Sequence, residues 1–132
     1  MTKQSEWRTW NLRGLKVTQL QFDYGFHVSM WSLQRELIVT FGTQFTLRPP
    51  TGEERVFNPE QVESLCPLLL LLHRPVVEFA ASDEGRCVLK FEDGTVLRSE
   101  PHESYEAWES HGSDDLEDAS LLCDVGGGSP WG

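Results

Sequence analysis

The chain has 132 residues, 39% of them hydrophobic and 11% aromatic, which predicts one folded domain and excludes a disordered segment. Its net charge of −10 disfavours nucleic acid and anionic membranes as partners, because like charges repel. No apolar run approaches the roughly 18 residues of a membrane span, and the polar N-terminus lacks the apolar stretch of a secretory signal. We therefore expect a cytoplasmic protein.

The first half of the chain predicts an antiparallel meander over residues 13–48, preceded by an N-terminal arm over residues 1–12. Apolar and polar residues alternate in 15–22 and 26–32, the period-2 pattern of half-buried strands. Asp23-Tyr24-Gly25 separates these two runs and is typical of a turn. A third β-branched run over 36–41 completes the meander, with Phe45 and Leu47 after it and Pro49-Pro50 as its end.

Residues 58–74 predict a helix between two β-rich halves. Asn58 suits an N-cap and Pro59 the first helical position, while Val62, Leu65, Leu69 and Leu72 follow at helical spacing. Pro67 would interrupt an α-helix. We expect either a kinked helix over 59–72 or a short turn and a helix that starts near Cys66.

Residues 75–98 predict a second three-stranded meander. Its clearest signal is Asp93-Gly94, a two-residue hairpin turn between alternating flanks. The opening of this meander is similar to that of the first, which suggests a weak internal repeat, although any two meanders share such a pattern. The predicted fold is therefore α+β and β-rich: two antiparallel meanders joined by one helix, packed as a single sheet or a half-barrel.

The last third, residues 99–132, predicts an acidic link and a C-terminal edge segment. Nine acids and no Lys or Arg lie between Glu100 and Asp124. Residues 51–132 carry a net charge of −13, whereas residues 1–50 carry +3. We expect one or two helical turns around Tyr105 and Trp108, a polar loop over 112–120, and a short edge strand at 121–123.

The segments 91–98 and 105–109 resemble a family of small bacterial proteins of unknown function. The shared pattern is a D-G-T-x-L hairpin at Asp93–Leu97, a proline-containing link, the Y-E-A-W motif at Tyr105–Trp108, and a leucine-rich strand before the glycine run 126–128. The likeness covers roughly residues 14–131, and the acidic insertion 113–118 departs from it. The resemblance implies no catalytic residues, and it implies a setting like that of immunity proteins, by association alone.

No catalytic motif is present, so we expect a protein that is not an enzyme and needs no cofactor. Cys66, Cys87 and Cys123 are too widely spaced for a disulfide framework or a zinc site. His102 and His111 lie among carboxylates, but their irregular spacing disfavours a metal site. We expect three reduced thiols, solvated histidines and no bound metal.

The leading functional hypothesis is a protein-binding domain whose acidic C-terminal surface engages a basic partner, as an immunity protein would neutralise a cationic toxin. Complementary charge would speed encounter, and an aromatic side chain would supply affinity. The predicted partner-binding residues are Glu100, Glu103, Tyr105, Glu106, Trp108, Glu109, Asp114 and Asp115.

Two rival hypotheses belong to other classes. One is a small-molecule-binding module, with a ligand held between the meanders and lined by Tyr24, Phe26 and Trp31. The other is a structural subunit of a larger complex that pairs through an exposed edge strand. The sequence is also compatible with a homo-oligomer.

Overall fold

The computed structural model describes residues 4–131 and shows two antiparallel β-sheets. Strands hold 45% of the chain and helices 12%, which confirms a β-rich fold. The strands are β1 (Trp7–Asn11), β2 (Lys16–Phe22), β3 (Phe26–Ser32), β4 (Arg35–Phe41), β5 (Phe45–Arg48), β6 (Arg55–Phe57), β7 (Val76–Ser82), β8 (Cys87–Phe91), β9 (Val96–Ser99), β10 (Trp108–Ser113) and β11 (Leu121–Leu122).

Both meanders are present, but they lie in different sheets. The first, β2–β3–β4, belongs to a five-stranded sheet of order β11-β10-β4-β3-β2. The second, β7–β8–β9, belongs to a six-stranded sheet of order β1-β7-β8-β9-β5-β6. The expectation of a single sheet or half-barrel is wrong because each meander has one apolar face, and each face is buried by packing against the other.

The core lies between the two sheets and is rich in aromatic rings. Phe45 of the six-stranded sheet stacks on Phe26 and Phe41 of the five-stranded sheet, with ring centroids 5.3 and 4.8 Å apart. Phe79 and Trp108 meet edge to face across the same gap, at 6.0 Å. Such pairs add about 0.5–1.5 kcal/mol beyond the burial of their surface, so these contacts hold the sheets together.

The predicted helix is a 3-10 helix over Val62–Leu71, with Pro67 inside it. Its buried residues, Leu65, Leu68 and Leu71, recur every three positions, which matches the three residues per turn of a 3-10 helix. Val62 and Leu69, which we expected on a buried α-helical face, are exposed. Proline lacks an amide donor and clashes with the preceding turn of an α-helix, so the tighter form accommodates this sequence. Asn58 accepts a hydrogen bond from the Glu60 amide (3.0 Å) in a turn ahead of the helix.

Three other regions differ from their predictions. The N-terminal arm contains β1, an edge strand paired with β7; residues 1–3 of the predicted arm lie outside the described residues. Phe45–Arg48 leaves the first meander and pairs with β9 and β6 in the other sheet. The predicted loop over 112–120 contains a second 3-10 helix, Asp114–Ala119. Residues 4–131 contain no α-helix and no helix long and apolar enough to cross a membrane.

Candidate functional site

An open groove of about 590 Å³ lies where three connections meet at one end of the two sheets. The connections are the β4–β5 link, the turn before the first 3-10 helix, and the link between β9 and β10; one residue of the segment after β11, Val125, also lines the groove. We call it the acidic groove. Its lining residues are Gly42, Thr43, Gln44, Asn58, Glu60, His102, Ser104, Tyr105, Glu106 and Val125.

Close backbone contacts place the β9–β10 link against the β4–β5 link. The Gly42 amide donates to the carbonyl oxygen of Ala107 (2.9 Å), and a Cβ at Gly42 would lie 3.1 Å from the carbonyl oxygen of Glu106. A side chain at position 42 would therefore press the two links apart. His102 shapes the same link: its Nδ1 accepts from the Ser104 amide (3.0 Å), and its carbonyl oxygen accepts from the Gly126 amide (2.7 Å).

The groove presents carboxylates beside an exposed aromatic ring. Glu60 and Glu106 line it, and Glu103 lies in the same exposed link. Tyr105 is 63% exposed, and its ring centroid lies 5.1 Å from that of His102. Within residues 4–131, no Lys or Arg side chain forms an ion pair with these three glutamates. The groove therefore offers negative charge that the fold itself does not neutralise.

The other acids among the predicted partner-binding residues divide into two groups. Glu109 and Asp114 are exposed and form no ion pair among the described side chains. Glu100 pairs with Arg86 (2.7 Å) and Arg98 (3.7 Å), and Asp115 pairs with Arg35 (3.0 Å). The charges of the second group already have partners within the chain, so a basic protein would have to compete for them.

Trp108 does not lie on the partner-facing surface that we predicted for it. Its side chain is 1% exposed, and its indole nitrogen donates to the carbonyl oxygen of Gly85 (2.8 Å). The expected helical turns are absent: β10 begins at Trp108, and β alternation turns Trp108 inward and Glu109 outward. Tyr105, three residues earlier, is thus the exposed aromatic of this stretch.

The motif residues that carry the family resemblance have structural roles. The Asp93 carboxylate accepts from the Thr95 amide (2.9 Å) and from Arg74 (2.8 Å), which fixes the hairpin turn. Gly127 has a positive φ of 89°, and a Cβ there would lie 2.8 Å from the carbonyl oxygen of Glu84. The glycine run therefore packs directly against the turn that receives the Trp108 indole.

The residues predicted to line a small-molecule pocket are not brought together. Phe26 is fully buried in the core between the sheets, whereas Tyr24 is 83% and Trp31 50% exposed. Sequence reasoning also missed Gln44, Asn58 and Glu60 as groove residues. No local pattern marks them, because Glu60 and Glu106 are far apart in the chain and meet only through the fold.

The cysteines and histidines form no metal centre in the described part of the chain. Residues 4–131 contain no group of three or more His, Cys, Asp or Glu side chains arranged to hold a metal ion. Cys66, Cys87 and Cys123 are all free thiols. Burial raises the pKa of the Cys87 thiol well above its ordinary value and also raises that of Cys123, which disfavours the reactive thiolate.

The chain is thus a small protein of two antiparallel sheets, with the acidic groove at one end. Residues 8–128 match the model of a family of unknown function, DUF6188. The chain belongs to that family. No curated protein and no solved structure matches the chain.

Proposed function

We propose that this chain is a non-enzymatic protein-binding domain that engages a basic protein partner through the acidic groove. The observation that carries the proposal is the groove itself, where Glu60 and Glu106 lie beside the exposed Tyr105 with no Lys or Arg among the lining residues. An immunity protein that neutralises a cationic toxin is the form of this function that the family resemblance favours.

The chemistry of the groove suits a lysine or arginine side chain from the partner. A cation that enters would meet the two carboxylates, and the face of Tyr105 would attract it through its ring quadrupole. Exposed aromatic residues beside charged groups are frequent at the centres of protein interfaces. The overall charge of −10 would steer a basic partner toward the chain from a distance.

The test separates the groove from the general negative charge of the protein. Fluorescence anisotropy measures the binding of labelled hexa-arginine and hexalysine peptides at low and high salt. The triple variant Glu60→Lys/Glu103→Lys/Glu106→Lys should abolish salt-sensitive binding. The matched control, Glu53→Lys/Glu63→Lys/Glu117→Lys, makes the same change in charge at exposed acids outside the groove, and it should retain most of the binding.

Two outcomes contradict the proposal. If both triple variants lose binding equally, the peptides respond to net charge and the groove has no special role. If Tyr105→Ala binds both peptides as tightly as the wild type, the aromatic ring contributes nothing to recognition. Circular dichroism of each variant confirms that the fold is intact.

A further inference from the structure

The four edges of the two sheets are β1 and β6 in one sheet and β2 and β11 in the other. An edge strand exposes amide and carbonyl groups that can pair with another chain. Proteins usually prevent this with short strands, charged residues, proline or a covering segment. The edge that lacks these protections is therefore the one available to pair with another chain.

Three of the edges are short or covered. β11 has two residues, and β6 has three with a charged residue, Arg55, at its start. At the end of β1, the Arg35 guanidinium donates to the carbonyl oxygens of Asn11 (2.6 Å) and Arg13 (3.2 Å). β1 also carries a charged residue, Arg8, within the strand.

The edge of β2 is open along most of its length. At its start, the Val17 amide donates to the carbonyl oxygen of Arg74 (3.0 Å), and the His73 amide donates to that of Val17 (2.8 Å). A β-bulge lies at Thr18, and beyond it the segment Gln19–Phe22 contains no charge and no proline. No other described segment pairs with it on the side away from β3. Among the four edge strands of the described chain, this is the longest stretch without a charged residue, a proline or a bulge.

Apolar side chains surround this open edge. Leu20 and Phe22 of β2 are only partly buried and pack at the margin of the core. The first 3-10 helix ends at Leu71, two residues before His73 contacts β2, and it exposes 55% of Leu69 and 68% of Leu70. An open strand flanked by exposed leucines has surface to bury as well as hydrogen bonds to make.

The charges along the edge favour a second copy of this chain as the occupant. The start of β2 is cationic at Lys16, which forms no ion pair among the described side chains, and the end is anionic at Asp23, which also contacts Gln21 and His27. A two-fold axis at Leu20 would place β2 antiparallel to β2 of the second copy. Each cationic end would then face the anionic end of the other copy, so the edge is complementary to itself.

We propose that the open edge of β2 is a dimerisation surface, through which two copies join their five-stranded sheets into one continuous sheet. In this arrangement Leu20 faces Leu20 of the second copy on the inner side. Gln19 faces Gln21 of the second copy on the outer side, because residues at equal distances from the axis are paired. Both glutamines are exposed in the single chain, so they can be changed without disturbing the core.

The test is sedimentation equilibrium of the full chain from micromolar to millimolar concentration. The wild type should show a reversible monomer–dimer equilibrium. The Gln19→Lys/Gln21→Lys variant should be monomeric, because lysines would face each other across the axis, and so should Gln19→Glu/Gln21→Glu. An equimolar mixture of the two variants should restore the dimer, which rules out a folding defect. The control Thr9→Lys/Val56→Lys adds the same charge to the edges β1 and β6 and should dimerise like the wild type.

A wild type that remains monomeric throughout this range overturns the proposal. So does a lysine variant that dimerises as well as the control, or a mixture of the charged variants that stays monomeric. Hydrogen exchange gives a second measurement: the amides of 18–22 that point away from β3 should gain protection as concentration rises. If protection rises at β1 or β6 instead, the wrong edge has been assigned.

Discussion

The link Glu103–Glu106 and the 3-10 helix Asp114–Ala119 are both acidic in sequence but differ in what their side chains contact. In the helix, Leu116 and Ala119 are buried, Asp115 pairs with Arg35 and Asp118 accepts from the Trp10 indole. In the link, Glu103, Tyr105 and Glu106 are exposed. The helix thus packs against the sheets and stabilises them, whereas the side chains of the link are available to bind a partner. A run of acids does not by itself distinguish these two roles.

The largest predicted effect is a difference in stability between substitutions of the two aromatic residues of the Y-E-A-W motif. Trp108→Ala should lower the free energy of unfolding by about 3–5 kcal/mol, because it leaves a cavity in the core and removes the indole hydrogen bond to the carbonyl oxygen of Gly85. Tyr105→Ala should change it by no more than about 0.5 kcal/mol, as surface substitutions usually do. Urea denaturation measures both variants. A large loss of stability in Tyr105→Ala would contradict the division between link and core.

A smaller effect should come from the ion pair that anchors the second 3-10 helix. Arg35→Met removes hydrogen bonds to Asp115, Asn11 and Arg13, and it should cost about 1.5–3 kcal/mol, the range for hydrogen bonds to charged groups. The matched control Arg13→Met removes an exposed cation that forms no ion pair in the described chain, and it should have little effect. Equal losses in the two variants would show that Arg35 acts only through net charge.

The smallest effect should be a difference in acid sensitivity. Burial alone would raise the pKa of the Asp93 carboxyl, but the Thr95 amide and Arg74 outweigh it, and the net pKa lies below its ordinary value of 3.8. Ionised Asp93 therefore stabilises the fold above the unfolded-state pKa, and this stabilisation is lost as pH falls through the folded-state pKa. As the pH falls from above the unfolded-state pKa of Asp93 to below its folded-state pKa, the Asp93→Asn variant should lose less stability than the wild type.

Urea denaturation at a series of pH values between neutrality and the acid transition measures this difference. The control is Glu106→Gln, which removes a carboxylate that has no ion-pair partner among the described residues. It should follow the wild-type pH dependence. If Asp93→Asn also follows it, the hairpin carboxylate does not contribute to acid stability.

The sequence by itself determined the local elements whose signals are short-range. Alternation specified both meanders, and the Asp93-Gly94 turn specified its hairpin, because strand period and turn chemistry depend on neighbouring residues. The leucine-rich segment was recognised as helical, but its 3-10 form was not. The spacing of the apolar residues there favours an α-helix, whereas Pro67 disfavours one. The 3-10 form buries Leu65, Leu68 and Leu71 together.

Only the tertiary structure decided how the elements combine and which acids remain free. Two separate sheets arise because the apolar faces of the meanders cover each other, a long-range preference that no local pattern encodes. Glu60 and Glu106 line the same acidic groove because three connections converge there. Asp115 is unavailable to a partner because it forms an ion pair with Arg35 of β4. A side chain's charge is fixed by its chemistry, but its neighbours are fixed by contacts between residues distant in the chain.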